Sequence, residues 1–488
     1  MRPLIVLLCA GCAFGQIRTV TLPAKSPVVT FRFVFTAGSA VDPADKPGLA
    51  NLTARMIADG GTRELTYKQV LDALFPMAAS VSSQVDHEMT TFSGETHLDN
   101  LDAYYKLFRA MLLEPGWRED DFQRVKDDAI NELRVGLRGN NDEELGKEML
   151  YATLYRGTPY GHYSVGTVSA LQKLTLDDLK SFYKTHYAQS NLIIGLAGGY
   201  PPDFLERVKK DFGALEKKDD TARPPVEPAN LDRSRVLIVE KNTRSVAYSL
   251  GFPIEVKRGD PDYPALLVMQ SYFGPHRQSG GRLFQRIREL RGINYGDYAY
   301  IEYFPRGMFQ FEPAPNLARR SQIFQIWIRP VEPPAAAFTL RLACYELNRL
   351  VQDGISQEDF ERAKEFVSKY VNVLTTTKRA ELGYAIDSLY YGIPDYNRYI
   401  KDAVAKLTRD QVNAAIRKHL RMDRMQIVAV AQDAKGLAAQ ITGSSPAGIE
   451  YNSPKPASIL EEDKIVAKLD LKIRRDDIAI VPVAQVFE

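Results

Sequence analysis

The sequence predicts an α+β protein made of two copies of one unit, each a sheet covered by helices. Three observations carry that expectation. Leu174-Thr175-Leu176-Asp177 opens one segment and Leu407-Thr408-Arg409-Asp410 opens another. Both read as a Thr-capped helix, a histidine (His186, His419), a short turn and an apolar strand, at a constant offset of 233 residues. Upstream, VVTFRFVFTAG with Asp42-Pro43 is echoed by SVAYSLGFPIE with Asp260-Pro261, at an offset of about 217. Between the halves, residues 217–232 (KKDDTARPPVEPANLD) are charged, proline-rich and almost free of large apolar side chains, the composition of a linker.

Taken in order, residues 1–15 read as a cleaved secretory signal, with Arg2, an apolar run over 4–14 and Ala13-Phe14-Gly15 ahead of Gln16. The run is too short to anchor the chain in a membrane, so the expected location is periplasmic or secreted, with Gln16 first. A lipoprotein signal is the rival: Leu8-Cys9-Ala10-Gly11-Cys12 approaches a lipobox, and Cys12 would then carry the anchor. Cleavage leaves Cys344 as the one cysteine, so no internal disulfide is expected and stability rests on core burial. The first unit occupies 16–216, with strands at 28–35, 88–96 and 192–197 and helices at 48–58, 100–112, 119–137 and 142–154. A linker spans 217–235, the second unit 236–440 and an extension 441–488. The extension ends in an apolar run over 478–486 that adds a late strand or docks on the first half.

Composition excludes several classes. A formal net charge of +2, without a basic patch or aromatic-basic interleaving, gives no reason to expect a nucleic-acid partner. No later apolar stretch has membrane-spanning length. There is no Ser/His/Asp elbow, and Gly280-Gly281 lacks the lysine and spacing of a phosphate loop. His87 and His97, ten residues apart, are too far apart along a straight strand to share an ion, and they read as polar residues on an exposed strand face.

Residues 48–56 read GLANLTARM, and 273–295 read FGPHRQSGGRLFQRIRELRGINY. The first resembles the inverted zinc motif of the M16 (insulinase-like, pitrilysin-like) metallopeptidases, H-x-x-E-H inside G-L-A-H-x-x-E-H-M, with Gly48, Leu49, Ala50 and Met56 in register. The second, with GTPYGHYSVGT at 157–167, resembles the later signatures of that family, so the likeness spans most of the chain. It implies two duplicated M16-type (LuxS/MPP-like) domains, each a mainly antiparallel sheet covered by helices. The metal chemistry fails, however. Asn51, Ala54 and Arg55 stand where the family has His, Glu and His. An amide is a poor zinc ligand, a guanidinium repels a dication, and alanine cannot take a proton from a metal-bound water.

Glu132, 77 residues beyond Arg55, matches the family's third ligand, and Val125 replaces an additional glutamate common in active members. With no histidines to join, Glu132 reads as a half-buried helical glutamate, with Arg55 as a candidate partner. The resemblance also gives roles to Arg288 and Tyr295, which in the family hold substrate and the oxyanion of the tetrahedral intermediate. A guanidinium and a phenol suit that task. The bland alternative is a surface arginine on a basic helix (Arg282, Arg286, Arg288, Arg291) and a core tyrosine. The family further implies a zinc-bearing M16 paralogue with intact H-x-x-E-H as partner, a peptide substrate, and no metal or other cofactor in this chain. The glycine-rich 274–281 would then contact partner or substrate through exposed backbone. The alternative function is a structural or peptide-binding protein without a proteolytic role.

Overall fold

The computed structural model describes residues 17–219, 223–305, 311–443 and 447–488. The signal segment expected at 1–15, with Cys9, Cys12 and the expected first residue Gln16, lies outside them. The described strands form two sheets. The first runs β1 (Arg18–Pro23), β5 (Leu192–Gly198), β2 (Val28–Phe35), β4 (Thr90–His97), β3 (Ser80–Val85). The second runs β11 (Ile478–Pro482), β6 (Arg235–Glu240), β10 (Gln426–Ala431), β7 (Val246–Ile254), β9 (Gln322–Val331), β8 (Asp297–Tyr300). Only β1–β5, β6–β10 and β6–β11 are parallel, so each sheet is mainly antiparallel.

The repeat read from the sequence is a structural repeat. Helices Leu176–His186 and Arg409–His419 both start from a threonine cap, Thr175 boxed with Asp178 and Thr408 with Gln411, and both deliver the chain into a central strand. The central strands are apolar on both faces because both faces are covered. In β2, Phe31 and Phe33 meet Tyr104, Phe108 and Phe212 on one side. Val34, on the other side, joins Leu382 and Ile386 of the helix Lys378–Tyr391. That helix belongs to the second half. In exchange, Asp142–Leu154 from the first half lies on β7, β9 and β10. Each sheet is therefore closed by a helix of the other half. The approach is tight enough to need a glycine in β5, where a Cβ on Gly195 would stand 2.8 Å from Ile386 Cδ1 and 2.6 Å from Arg32 O.

The tail does both things offered for it. β11 lines up beside β6, and the last residues reach the first half. Val168 N–H donates to Phe487 O (2.9 Å), Ser169 N–H to Glu488 O (2.7 Å), and Arg138 Nη1 to Ala484 O (2.8 Å). Cys344 is buried and free, its thiol pushed up to about 12 by burial.

Three expectations need correction. His87 is not on an exposed strand face: β4 begins at Thr90, and His87 is buried in the preceding turn. There it shares a hydrogen bond with Ser39 Oγ (2.7 Å) and stacks on Tyr160. The glycine-rich stretch exposes only 277–280, since Gly274 and Gly281 are buried against Ala299 and Pro275. Tyr295 is not a core residue; it is 74% exposed.

Candidate functional site

The motif helix, Leu49–Asp59, is buried along nearly all its length. Its N-terminus is capped from outside the helix: Gly48 N–H and Ala50 N–H each donate to the Asp42 carboxylate at 2.8 Å, which satisfies orphan donors and meets the positive end of the dipole. Gly48 adopts φ 98°, and a Cβ there would lie 2.4 Å from Val165 O, so no other residue makes this entry easily. Burial pushes the Asp42 pKa up, while His162, 3.4 Å away, and the two amides pull it down.

On this scaffold the three metal-motif positions have been refilled. Asn51 is buried with its Oδ1 lacking a hydrogen-bond partner. Ala54 is fully buried and offers no donor atom. Arg55 reaches across to Glu132 in a direct ion pair, both side chains about a quarter exposed. Glu132 sits where the helix Glu119–Asn131 passes into a π-helical stretch, Glu132–Leu137, which turns its carboxylate toward the motif helix. Zinc does not fit: the positive charge it would supply is already there, covalently fixed, on Arg55. Among the described residues, no group of three or more His, Cys, Asp or Glu could hold a metal ion.

Beside the motif helix lies β3, packed against it and standing at the end of its sheet, with a strand on one side only among the described residues. The β3 sequence, SVSSQV, has no charge and no proline, so its free edge lacks the usual devices against strand addition. Leu71 and Phe75, four residues apart and leading into β3, are exposed, Phe75 to 86%.

Arg288 and Tyr295 also meet. Arg288 lies in a second π-helical stretch, Phe284–Glu289; its guanidinium covers the Phe284 ring (4.8 Å) and faces the Tyr295 ring (5.8 Å), and Nη1 reaches Tyr295 O at 3.5 Å. Gly292 at φ 71° turns the chain between them. The neighbouring arginines differ. Arg282 and Arg286 bond the buried Glu346 (2.8 and 2.6 Å), and the fully buried Arg291 bonds Asp463 (2.9 Å) and Glu462 (2.7 Å). These three fasten the segment to the helices behind it, whereas Arg288 points outward, 40% exposed, with Glu289 4.0 Å away.

Sequence reasoning missed the polar seam between the halves. Arg319 bonds Asp86 (2.7 and 3.1 Å) and lies 3.4 Å over Tyr303, while Glu148 accepts from Tyr303 Oη (2.7 Å). Arg320 bonds Glu88 (2.9 Å). The VDHEM string at 85–89 was visible, but its arginine partners, Arg319 and Arg320, lie more than 200 residues away.

Comparison with known proteins places the chain in a family and supports the fold. Residues 18–168 match the family model described as Insulinase (Peptidase family M16), and residues 173–367 match Peptidase M16 inactive domain. A Helicobacter pylori protein named Non-peptidase homolog YmxG is 21% identical over 417 residues, covering 84% of this chain and 90% of that one. An uncharacterized zinc protease of Streptomyces coelicolor is 24% identical over 367 residues, covering 72% and 75%. Among solved structures, a peptidase M16 inactive domain from Pseudomonas fluorescens matches with a TM-score of 0.73 and 24% identity, covering 85% of this chain and 95% of that chain.

Proposed function

Because the chain belongs to the M16 family of insulinase-like peptidases, we propose that it is an exported, non-catalytic subunit of a two-chain M16 peptidase. A paralogue with intact H-x-x-E-H would supply zinc and the general base. This chain would complete the peptide-binding chamber and contribute Arg288 and Tyr295. The observation that carries the reading is the Arg55–Glu132 ion pair, which puts a fixed cation where the family binds its metal and leaves no base at Ala54. Two features support the chamber role. The free edge of β3 offers main-chain donors and acceptors to an extended peptide. Arg288, alone among the four neighbouring arginines, is not fastened to the helices behind it, so its donors remain available to a substrate carbonyl or a developing oxyanion.

The division of labour follows from the chemistry of the residues present. The chain would bind and orient a peptide backbone and donate hydrogen bonds, but at the position of the motif's general base it has Ala54, which cannot take a proton from water. Co-expression with an M16 chain carrying intact H-x-x-E-H, followed by co-purification and a peptidase assay, tests this. The two chains are expected to elute together and to cleave peptide only as a pair. Full activity of the zinc-bearing chain alone would overturn the reading and leave a structural or peptide-binding protein.

A further inference from the structure

Matching the two sheets strand by strand pairs β1 with β6, β5 with β10, β2 with β7, β4 with β9 and β3 with β8. The match holds to the residue: Arg18 lies opposite Ile193 in the first sheet and Arg235 opposite Gln426 in the second, preserving the sequence offsets of 217 and 233. One strand is left over. β11 has no counterpart, and it occupies the outer edge of β6 in parallel, from Ile478 opposite Val236 to Pro482 opposite Glu240. Among the described residues, no strand lies on the outer side of the equivalent residues of β1, Thr19 to Pro23.

That edge is built to be covered. β1 (RTVTLP) confines its one charge and its one proline to its two ends, Arg18 and Pro23, leaving 19–22 uncharged, and its register against β5 is unbroken. Val20 and Leu22 are only partly buried, beside Leu389, Tyr390 and Tyr391. Tyr200, bonded to the Thr21 side chain, is only half-buried as well. The chain's own tail is committed elsewhere, with Asp477 held by Arg233 (2.6 Å) and Glu488 by Arg138 (2.8 Å).

We propose that the outer edge of β1 accepts a strand from a second M16-type chain. The segment is extended and aliphatic, of the character of Ile478–Pro482, and enters parallel to β1 as β11 does on β6. β11 is the observation that identifies the occupant, because the same position in the repeated sheet already holds such a segment. The proposal goes beyond the subunit role above, and its test needs no partner enzyme.

The probe is a fluorescein-labelled peptide with the sequence of residues 476–483, DDIAIVPV, added to the full chain. Anisotropy reads binding, and amide hydrogen exchange reads the site. Saturable binding with slowed exchange over 18–23 is expected. Methylating two successive peptide nitrogens, those matching Ala479 and Ile480, should weaken binding about tenfold or more, because one of the two must face the ladder. The proposal is overturned by absence of saturable binding, by protection confined to 235–240 (the probe then displacing the native tail from β6), or by equal affinity of the methylated probe.

Discussion

Arg288 and Arg291 stand three residues apart, and replacing each with alanine should give opposite results. Arg288 is 40% exposed, stacked on Phe284 and near Tyr295, and it makes no close ion pair. Its removal forfeits an exposed cation–π contact and a weak charge contact, together about 1 kcal/mol or less. Arg291 is fully buried between Asp463 and Glu462. Its removal leaves Asp463 without a cation and Glu462 with Arg286 alone, a loss on the order of 3 kcal/mol. Thermal melting of the two variants should therefore separate cleanly. In the complex with a zinc-bearing partner the order reverses per unit of stability lost. Arg288→Ala should keep partner association and lower turnover on the order of 10²-fold, the usual effect of deleting one oxyanion donor. Tyr295→Phe should follow it, since the hydroxyl is exposed and a phenylalanine keeps the ring under the guanidinium. Two results would refute the reasoning: normal turnover in both variants, or an Arg288→Ala protein that melts as early as Arg291→Ala.

Metal analysis of the purified chain should find no stoichiometric zinc, and one chelatable zinc per chain would contradict the account of Arg55. The triple change Asn51→His, Ala54→Glu, Arg55→His should create zinc binding without full activity, because Val125 and the surrounding shell are unchanged. Burial pushes the carboxyl groups of Glu148 and Glu312 up to about 7 from 4.5. Acids raised in the folded state stabilise it fully below about pH 4.5 and lose that contribution as pH climbs through 7, so this pair should lower stability over that window by a few kcal/mol at most. Melting across pH checks it, and Glu148→Gln should flatten the profile. Intact mass of protein from the cell envelope should place the first residue at Gln16, a diacylated Cys12 supporting the lipoprotein alternative and an uncleaved cytosolic Met1 refuting export.

What could be read from the sequence was whatever is local or repeated. The capped helices ending at His186 and His419 were legible because a threonine cap, an acid or amide three residues on and an apolar stripe are all within a dozen positions. The helix over 142–154 was legible for the same reason, but nothing local says that it covers the opposite sheet. β1 and β3 were invisible: RTVTLP is short, and SVSSQV has too few large apolar residues to announce a strand whose outer edge needs none. His87 was misread because its burial depends on Tyr160 and Ser39, brought in by other elements. At the motif helix the residue types were enough to read the loss of metal chemistry, and the spacing to Glu132 named the replacement partner. Whether Arg288 was structural could not be read from four similar arginines; the positions of Glu346, Glu462 and Asp463 distinguish them.

The exchange of helices between the halves bears on how the chain is made. The first sheet leaves the ribosome with one face bare, and its cover, Lys378–Tyr391, is translated almost two hundred residues after β5. The helix Asp142–Leu154 likewise waits for its own sheet, whose strands β7, β9 and β10 are spread over residues 246–431. Neither core can close early, so the nascent chain presents two unfinished apolar surfaces to the cell for most of its synthesis. A carrier that keeps it unfolded until translation ends would suit such a chain. Severing it at the linker should yield two insoluble fragments, and heating the intact protein should give one cooperative transition rather than two.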